Sequence, residues 1–321
     1  GSGGNQELYG GNDADSLLGG VGIAQHLSGE AGDDTLVAGT GSSQALSGGE
    51  GNDSLVGSAG TWQNLTGNDG DDTLVAGDAT TAGGFSNQAL SGGNGADSII
   101  GGNGDFYYLF GEAGDDTLVG GGASAQIDGG DGNDSLVGGR ADYQALFGYA
   151  GNDTLVAGGG VTQELYGGDD DDSLLGASAA ELLDGGNGAD TLQGGAGNDT
   201  LHGGADSADW ASYENASGAV TVDLGAGTSS GADGNDSLTG IENILGSNSA
   251  DSMIGDSLTN ILDGSDGNDT LVAGSGAGQY VYGGNDADSL VGGSGADQFL
   301  GAGGGNDTLV AGSGAHQGLH G

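Results

Sequence analysis

Short alternating runs of the form Asp-Ser/Thr-Leu-Val return along the chain at fixed intervals. In "GEGNDSLVG" the side chains of Asp53 and Leu55 fall on one side of an extended backbone, and those of Ser54 and Val56 on the other. The aspartate of this signature stands at Asp15, Asp34, Asp53 and Asp72, each 19 residues apart. After an insertion near 78–87, "DATTAGGFSN", it stands at Asp97, Asp116, Asp134, Asp153, Asp172 and Asp190, spaced by 19 or 18. Asp199 follows Asp190 by nine; Asp251, Asn260 and Asp269 are again nine apart, and Asp288, Asp297 and Asp307 end the series. A unit of nine is visible, and most of the chain uses it doubled.

Halfway through the doubled unit the acid is replaced. Gln6, Gln25, Gln44, Gln63, Gln88, Gln144, Gln163, Gln279 and Gln317 stand there, each followed two residues later by Leu or Val, with Tyr107 and Glu181 in single coils. Strands this short cannot bury a core alone, so the pattern predicts an all-β parallel β-solenoid, or β-roll, whose coils stack at roughly 4.8 Å. Each coil supplies two strands and two turns. The predicted core is a double row: Leu17, Leu36, Leu55, Leu74 and Leu118 on one side, Leu8, Leu27, Leu46, Leu65 and Leu90 on the other. The regular solenoid covers 1–203, an irregular module 204–250, and the solenoid resumes over 251–321.

Composition narrows the partners. Of 321 residues 80 are Gly, and Pro and Cys are absent, which excludes collagen. Asp and Glu number 47 against the single Arg140 and no Lys. Phosphates cannot be neutralised by such a chain, so nucleic acid and anionic membrane surfaces are excluded as partners. No apolar run approaches the ~18 residues of a membrane span, and "GSGGNQELYGG" lacks a signal-peptide pattern. The first residues already match the repeat and the last, "GSGAHQGLHG", stop within it. This suggests a segment of a longer polypeptide, or a chain that stacks end to end.

Stacking places Asp34 between Asp15 and Asp53. Two carboxylates about 4.8 Å apart repel by roughly 3.5 kcal/mol at an effective dielectric of 20. A long bare column is untenable, whereas Ca²⁺ accepts carboxylates together with backbone carbonyls at flexible geometry. "GGNGADSII" (92–100), "GGDGNDSLV" (129–137), "GGNGADTLQ" (185–193) and "GGAGNDTLH" (194–202) resemble the nonapeptide of RTX, or hemolysin-type, calcium-binding proteins. The resemblance implies a parallel β-roll with multiple Ca²⁺ ions in its turns, bacterial type I secretion, and folding outside the cell. It also implies metal ligation by the matching Asp15, Asp34, Asp53, Asp72, Asp97, Asp116, Asp134, Asp153, Asp172, Asp190, Asp199, Asp251, Asp269, Asp288, Asp297 and Asp307. Asn52, Asn133 and Asn152 read as loop formers instead. Residues 204–269 resemble the irregular module of serralysin C-terminal regions, with "VTVDL" (220–224) a strand and Trp210, Tyr213, Ile241 and Ile244 a local core.

The Gln column predicts an amide ladder on the edge opposite the acids, with two-sided calcium sites only near Asp190–Asp199, Asp251–Asp269 and Asp288–Asp307. One-sided coils are also similar to the ice-binding region of a giant bacterial RTX adhesin. The Thr of that region's turns is replaced here by Asn12, Ala31, Glu50, Asp69, Asn94, Ala113 and Asp131. Outward on the Asp strand lie a Ser/Thr row and a Val row, a candidate surface for lateral contact with a second copy. Outward on the Gln strand lie mixed residues that include Tyr9, Phe110, Phe147, Tyr166 and Tyr282.

For catalysis the inventory is nearly empty. His26, His202, His316 and His320 fall at outward or terminal repeat positions, and neither H-E-x-x-H nor G-x-S-x-G occurs, so no catalytic residue is assigned. Three function classes follow. The first is a structural segment of a secreted surface protein: an adhesin stalk, surface-layer component or filament. The second is the secretion and folding region of a protease or lipase, and the third an ice-binding or surface-adsorbing module.

Overall fold

The computed structural model describes residues 4–78, 87–103, 106–122, 124–205 and 208–321. The insertion near 78–87 therefore lies largely outside the described residues. The chain forms two compact units, Gly1–Asp169 and Asp170–Gly321. Among the described residues every regular element is a strand, and no helix is long and apolar enough to cross a membrane.

In the first unit two parallel sheets alternate along the chain. Short strands such as Thr35–Val37, Ser54–Val56 and Thr73–Val75 follow the aspartates and pair in register, Leu36 with Leu55 and Leu55 with Leu74. Eight-residue strands such as Ala24–Ala31, Ser43–Glu50 and Trp62–Asp69 carry the glutamines and pair Gln25 with Gln44 and Gln44 with Gln63. The expected leucine rows are the core: Leu27, Leu36, Leu55, Leu65, Leu74, Leu90 and Leu118 are fully buried. Only Leu8, in the first described coil, stays partly open.

The same architecture continues in the second unit, interrupted once. Val220–Asp223 forms an antiparallel hairpin with Thr228–Gly231, and the first of these strands also pairs in parallel with Ser252–Ile254. Tyr213, Ile241 and Ile244 are buried here as expected, joined by Val220 and Val222. Trp210 is not a core residue: Asp209 and Ala211 occupy the inward positions on either side of it, so the alternation turns the indole outward.

The Gly-rich turns follow a two-coil rhythm. At the fourth residue before each aspartate the paired column reads Gly11, Glu30, Gly49, Asn68, Gly93, Glu112, Gly130, Tyr149, Gly168. All nine have positive φ, near +125° for the glycines and between 78° and 89° for Glu30, Asn68, Glu112 and Tyr149. A Cβ on Gly49 would collide with the Glu30 carbonyl oxygen, and one on Gly93 with that of Asn68. A side chain is thus tolerated only in every second coil. The residue after each aspartate keeps the same rhythm, with Ser16, Thr35, Ser54 and Thr73 in successive coils.

Two opposite substitutions check this geometry. Glu30→Gly relieves a left-handed backbone and is expected to raise stability by about 1 kcal/mol. Gly49→Ala is expected to cost at least ~3 kcal/mol. Urea unfolding in saturating Ca²⁺ measures both.

Candidate metal centre

Asp34, Asp53, Asp72, Asp97, Asp116, Asp134 and Asp153 are buried in one column that begins at the half-buried Asp15, and the two carboxylate oxygens do different work. The Asp34 N–H donates to Asp53 Oδ1 at 2.7 Å, the Asp53 N–H to Asp72 Oδ1 at 2.7 Å, and the Asp97 N–H to Asp116 Oδ1 at 2.8 Å. Each carboxylate therefore holds the backbone of the coil before it. The second oxygen is buried without a hydrogen-bond partner in Asp34, Asp53, Asp72, Asp97, Asp116 and Asp134, and likewise in Asp190, Asp199, Asp269 and Asp288 of the second unit. An unpaired buried carboxylate oxygen is costly, so ten of them, six in one column of the first unit and four on the edges of the second, call for counter-charges.

The residue before each aspartate builds a second ladder, running the other way. Asp33 Oδ1 accepts from the Asn52 N–H at 2.9 Å, Asn52 Oδ1 from the Asp71 N–H at 2.9 Å, and Asn133 Oδ1 from the Asn152 N–H at 2.9 Å. The Asn52 and Asn133 side chains are spent on the turn of the next coil, as the reading of loop formers expects.

Glycine at the fifth position before each aspartate leaves room beside the free oxygen. A Cβ on Gly29 would strike Asp34 Oδ2 and stand 2.7 Å from the Gly48 carbonyl oxygen of the next coil. The same holds at Gly67 for Asp72 Oδ2 and the Gly92 carbonyl (2.6 Å), and at Gly264 for Asp269 Oδ2 and the Gly283 carbonyl (2.6 Å). A carboxylate oxygen and a carbonyl oxygen of adjacent coils thus face one small space. Among the described residues no three carboxylate or imidazole side chains converge on one point. The donor set is one carboxylate with backbone carbonyls, which suits a hard, oxygen-seeking cation of flexible geometry.

The model of the RTX calcium-binding nonapeptide repeat matches residues 1–23, 26–45, 39–61, 64–79, 83–105, 110–143, 145–161, 175–207, 245–280 and 282–315. The chain belongs to the RTX calcium-binding repeat family. No curated protein matches it in sequence. The unmatched stretch 208–244 contains the antiparallel hairpin of the second unit. In this RTX chain the buried aspartates and the neighbouring glycine carbonyls fit Ca²⁺, which when bound neutralises the column.

The second unit carries acids on both edges and then on one. Along one edge the inward positions run Asp172, Asp190, Asp209, Glu242, Asn260, Gln279, Gln298 and Gln317. On the other stand Glu181, Asp199 and Asp236, and beyond the hairpin Asp251, Asp269, Asp288 and Asp307. Two-sided acids thus extend from Glu181 to Glu242, further than the nine-residue spacing suggested. Asp209, Asp236 and Glu242 were missed, although "GADGNDSLT" (231–239) carries the Asp236 signature. Asp297 does not join the series. It is 70% exposed, 3.2 Å from His316 Nδ1, and Gln298 takes the buried position of that coil. No two-sided acid pairing therefore exists at Asp288–Asp307. Near Asp251–Asp269 the opposite position is Asn260, whose Nδ2 donates to the Glu242 carbonyl at 2.9 Å.

Gln25, Gln44 and Gln63 are buried in register, and the hydrogen bonds of their amides run to the turns rather than along an amide ladder. Gln25 Oε1 accepts from the Gly39 N–H at 2.8 Å, and Gln63 Oε1 from the Gly77 N–H at 3.0 Å. Gln44 Nε2 donates to the Gly39 carbonyl at 2.9 Å. Each amide pins the glycine turn on its own edge, a task that needs a donor and an acceptor and no charge. Tyr107 replaces it with a hydroxyl that accepts from the Gly121 N–H.

Burial pushes the Asp53 and Asp72 carboxyls up to about 6, and those of Asp97, Asp116 and Asp269 up to about 7, with neighbouring carboxylates adding to the rise. A raised folded-state value favours the fold below the unfolded value of 3.8, and that contribution is lost as pH rises through 6 to 7. Chelator-treated protein is accordingly expected to gain β signal in far-UV circular dichroism between pH 7.5 and pH 4.5. The Ca²⁺ midpoint should move to higher concentration over the same interval, since protons compete for the same oxygens.

Proposed function

We propose that this chain is a calcium-dependent structural segment of a secreted bacterial surface protein, exported unfolded and folding where Ca²⁺ is abundant. The observation that carries the reading is the register of buried carboxylate oxygens without partners. At a net charge of −46 the coils repel one another until cations fill the turns. Where free Ca²⁺ is scarce the chain stays extended and exportable; at millimolar Ca²⁺ the folded state gains by mass action. The role is scaffolding rather than catalysis. It is supported by the surroundings of the histidines: His202 pairs with Asp184 at 3.1 Å and His316 with Asp297, while His26 and His320 lie against Tyr9 and Phe299. A stalk, layer or filament suits a repeat whose every coil makes the same contacts with its neighbours.

The test is a Ca²⁺ titration of chelator-treated protein, with wild type beside Asp72→Asn. Wild type should acquire β signal cooperatively. Asp72→Asn keeps the acceptor for the Asp53 N–H and removes a buried charge, so its metal-free form should be the more stable and its Ca²⁺ midpoint higher. Full β signal in wild type without Ca²⁺ at pH 7.5, unchanged by its addition, would contradict the reading.

A further inference from the structure

The two strands of a coil present different outer faces. In the first unit the outward positions of the described Asp strands are Ser or Thr with Val, Leu or Ile, and none is aromatic. The Gln strands of that unit carry the rings. Phe106, Tyr108 and Phe110 lie on one strand, Tyr108 and Phe110 stacked at 6.0 Å and 6°. Phe147 stacks on Tyr166 of the next coil at 4.9 Å and 4°. Beyond the hairpin of the second unit, Tyr280, Tyr282 and Phe299 again sit on strands of the Gln edge. None of these rings is needed by the calcium turns or by the leucine core.

A groove about 400 Å³ in volume crosses this face. Ala45, Asn64 and Ala89, paired in adjacent coils, form its floor. Tyr108 closes one end and Trp62, 55% exposed, borders one side. Small residues across three coils keep the floor flat between two aromatic walls.

Charge selects the occupant. An anionic ligand meets 47 acids and one Arg. A second copy of the chain would bring like charge onto like charge. A basic partner would find its counter-charges at the turns and further along this face at Asp128 and Glu164, whereas around the groove the outward files are Ser47, Thr66 and Ser91, with Asn64 on its floor. Neutral hydroxyls and amides among exposed rings match a ligand with apolar C–H faces and peripheral hydroxyls. We infer that this groove on the Gln-strand face of the first unit binds an extended neutral polysaccharide, with Trp62 and Tyr108 as stacking anchors. This is a ligand site separate from the calcium column.

Native affinity electrophoresis of the Ca²⁺-loaded chain, in gels containing hydroxyethylcellulose, soluble starch or galactomannan, tests it. The chain should be retarded by at least one of them, and Trp62→Ala and Tyr108→Ala should each weaken retention about tenfold. Val56→Thr, on the opposite sheet, should change nothing. Cello-, malto- and mannohexaose titrations followed by Trp fluorescence give a readout that needs no truncated side chain. At least one should give a saturable change, absent in Trp62→Phe. Failure to migrate differently in all three gels would overturn the inference, as would retention that survives both Ala substitutions. A salt-sensitive complex with polylysine, or a dimer, that both substitutions abolish would assign the face to a basic protein or to a second copy instead. The calcium response is unaffected by any of these outcomes, so failure here is distinguishable from failure of the scaffold reading.

Discussion

The coils of the first unit of this RTX chain hang on one recurring hydrogen bond, from the backbone N–H of an aspartate to the carboxylate of its counterpart one coil on. The bond fixes the register, because only the stacked position brings donor and acceptor to 2.7 Å. It also creates the central problem of the fold. Placing a carboxylate where it can accept that bond buries it, and leaves its other oxygen without a donor. Backbone amides supply one donor per residue, and in these turns none remains to satisfy it. A cation shared with the glycine carbonyls resolves the conflict. The interaction that specifies the stack is therefore also the one that makes the stack depend on calcium.

The glycines follow from the same constraint. Coils joined at strand spacing leave no room for a Cβ beside the free carboxylate oxygen, so the fifth residue before the aspartate is Gly in Gly29, Gly48 and Gly67 alike. One residue later the backbone is left-handed in every coil of the first unit, yet Glu30, Asn68, Glu112 and Tyr149 are accommodated. The structural repeat is thus a pair of coils, and the pair has two turn geometries. On the other edge the glutamine amides hold the turn through neutral bonds and need no ion.

Much of this was legible in the sequence. The alternation in Asp-Ser-Leu-Val and its return at 19 residues predicted the solenoid, the leucine rows and the buried aspartates, because period and side-chain direction are both fixed by strand geometry. The bonding of the glutamines was not legible, since a column of stacked amides and a column of amides bonded to turns have the same spacing. Asp297 was misplaced by counting nine from Asp288, one residue short of Gln298. The antiparallel hairpin displaces the period around Asp209, Asp236 and Glu242, so carboxylates distant in sequence enter columns that counting could not follow. The two-coil rhythm was present as alternating Ser16, Thr35, Ser54 and Thr73, and becomes meaningful only once the turn backbone is known.

The most direct test of the account is a count of bound calcium, by native mass spectrometry of the folded chain exchanged from dilute Ca²⁺ into volatile buffer. The ten aspartates whose second oxygen is buried without a partner predict at least ten ions, in a distribution that collapses together with the folded charge-state envelope when chelator is added. A folded envelope carrying no more than one or two ions would contradict it.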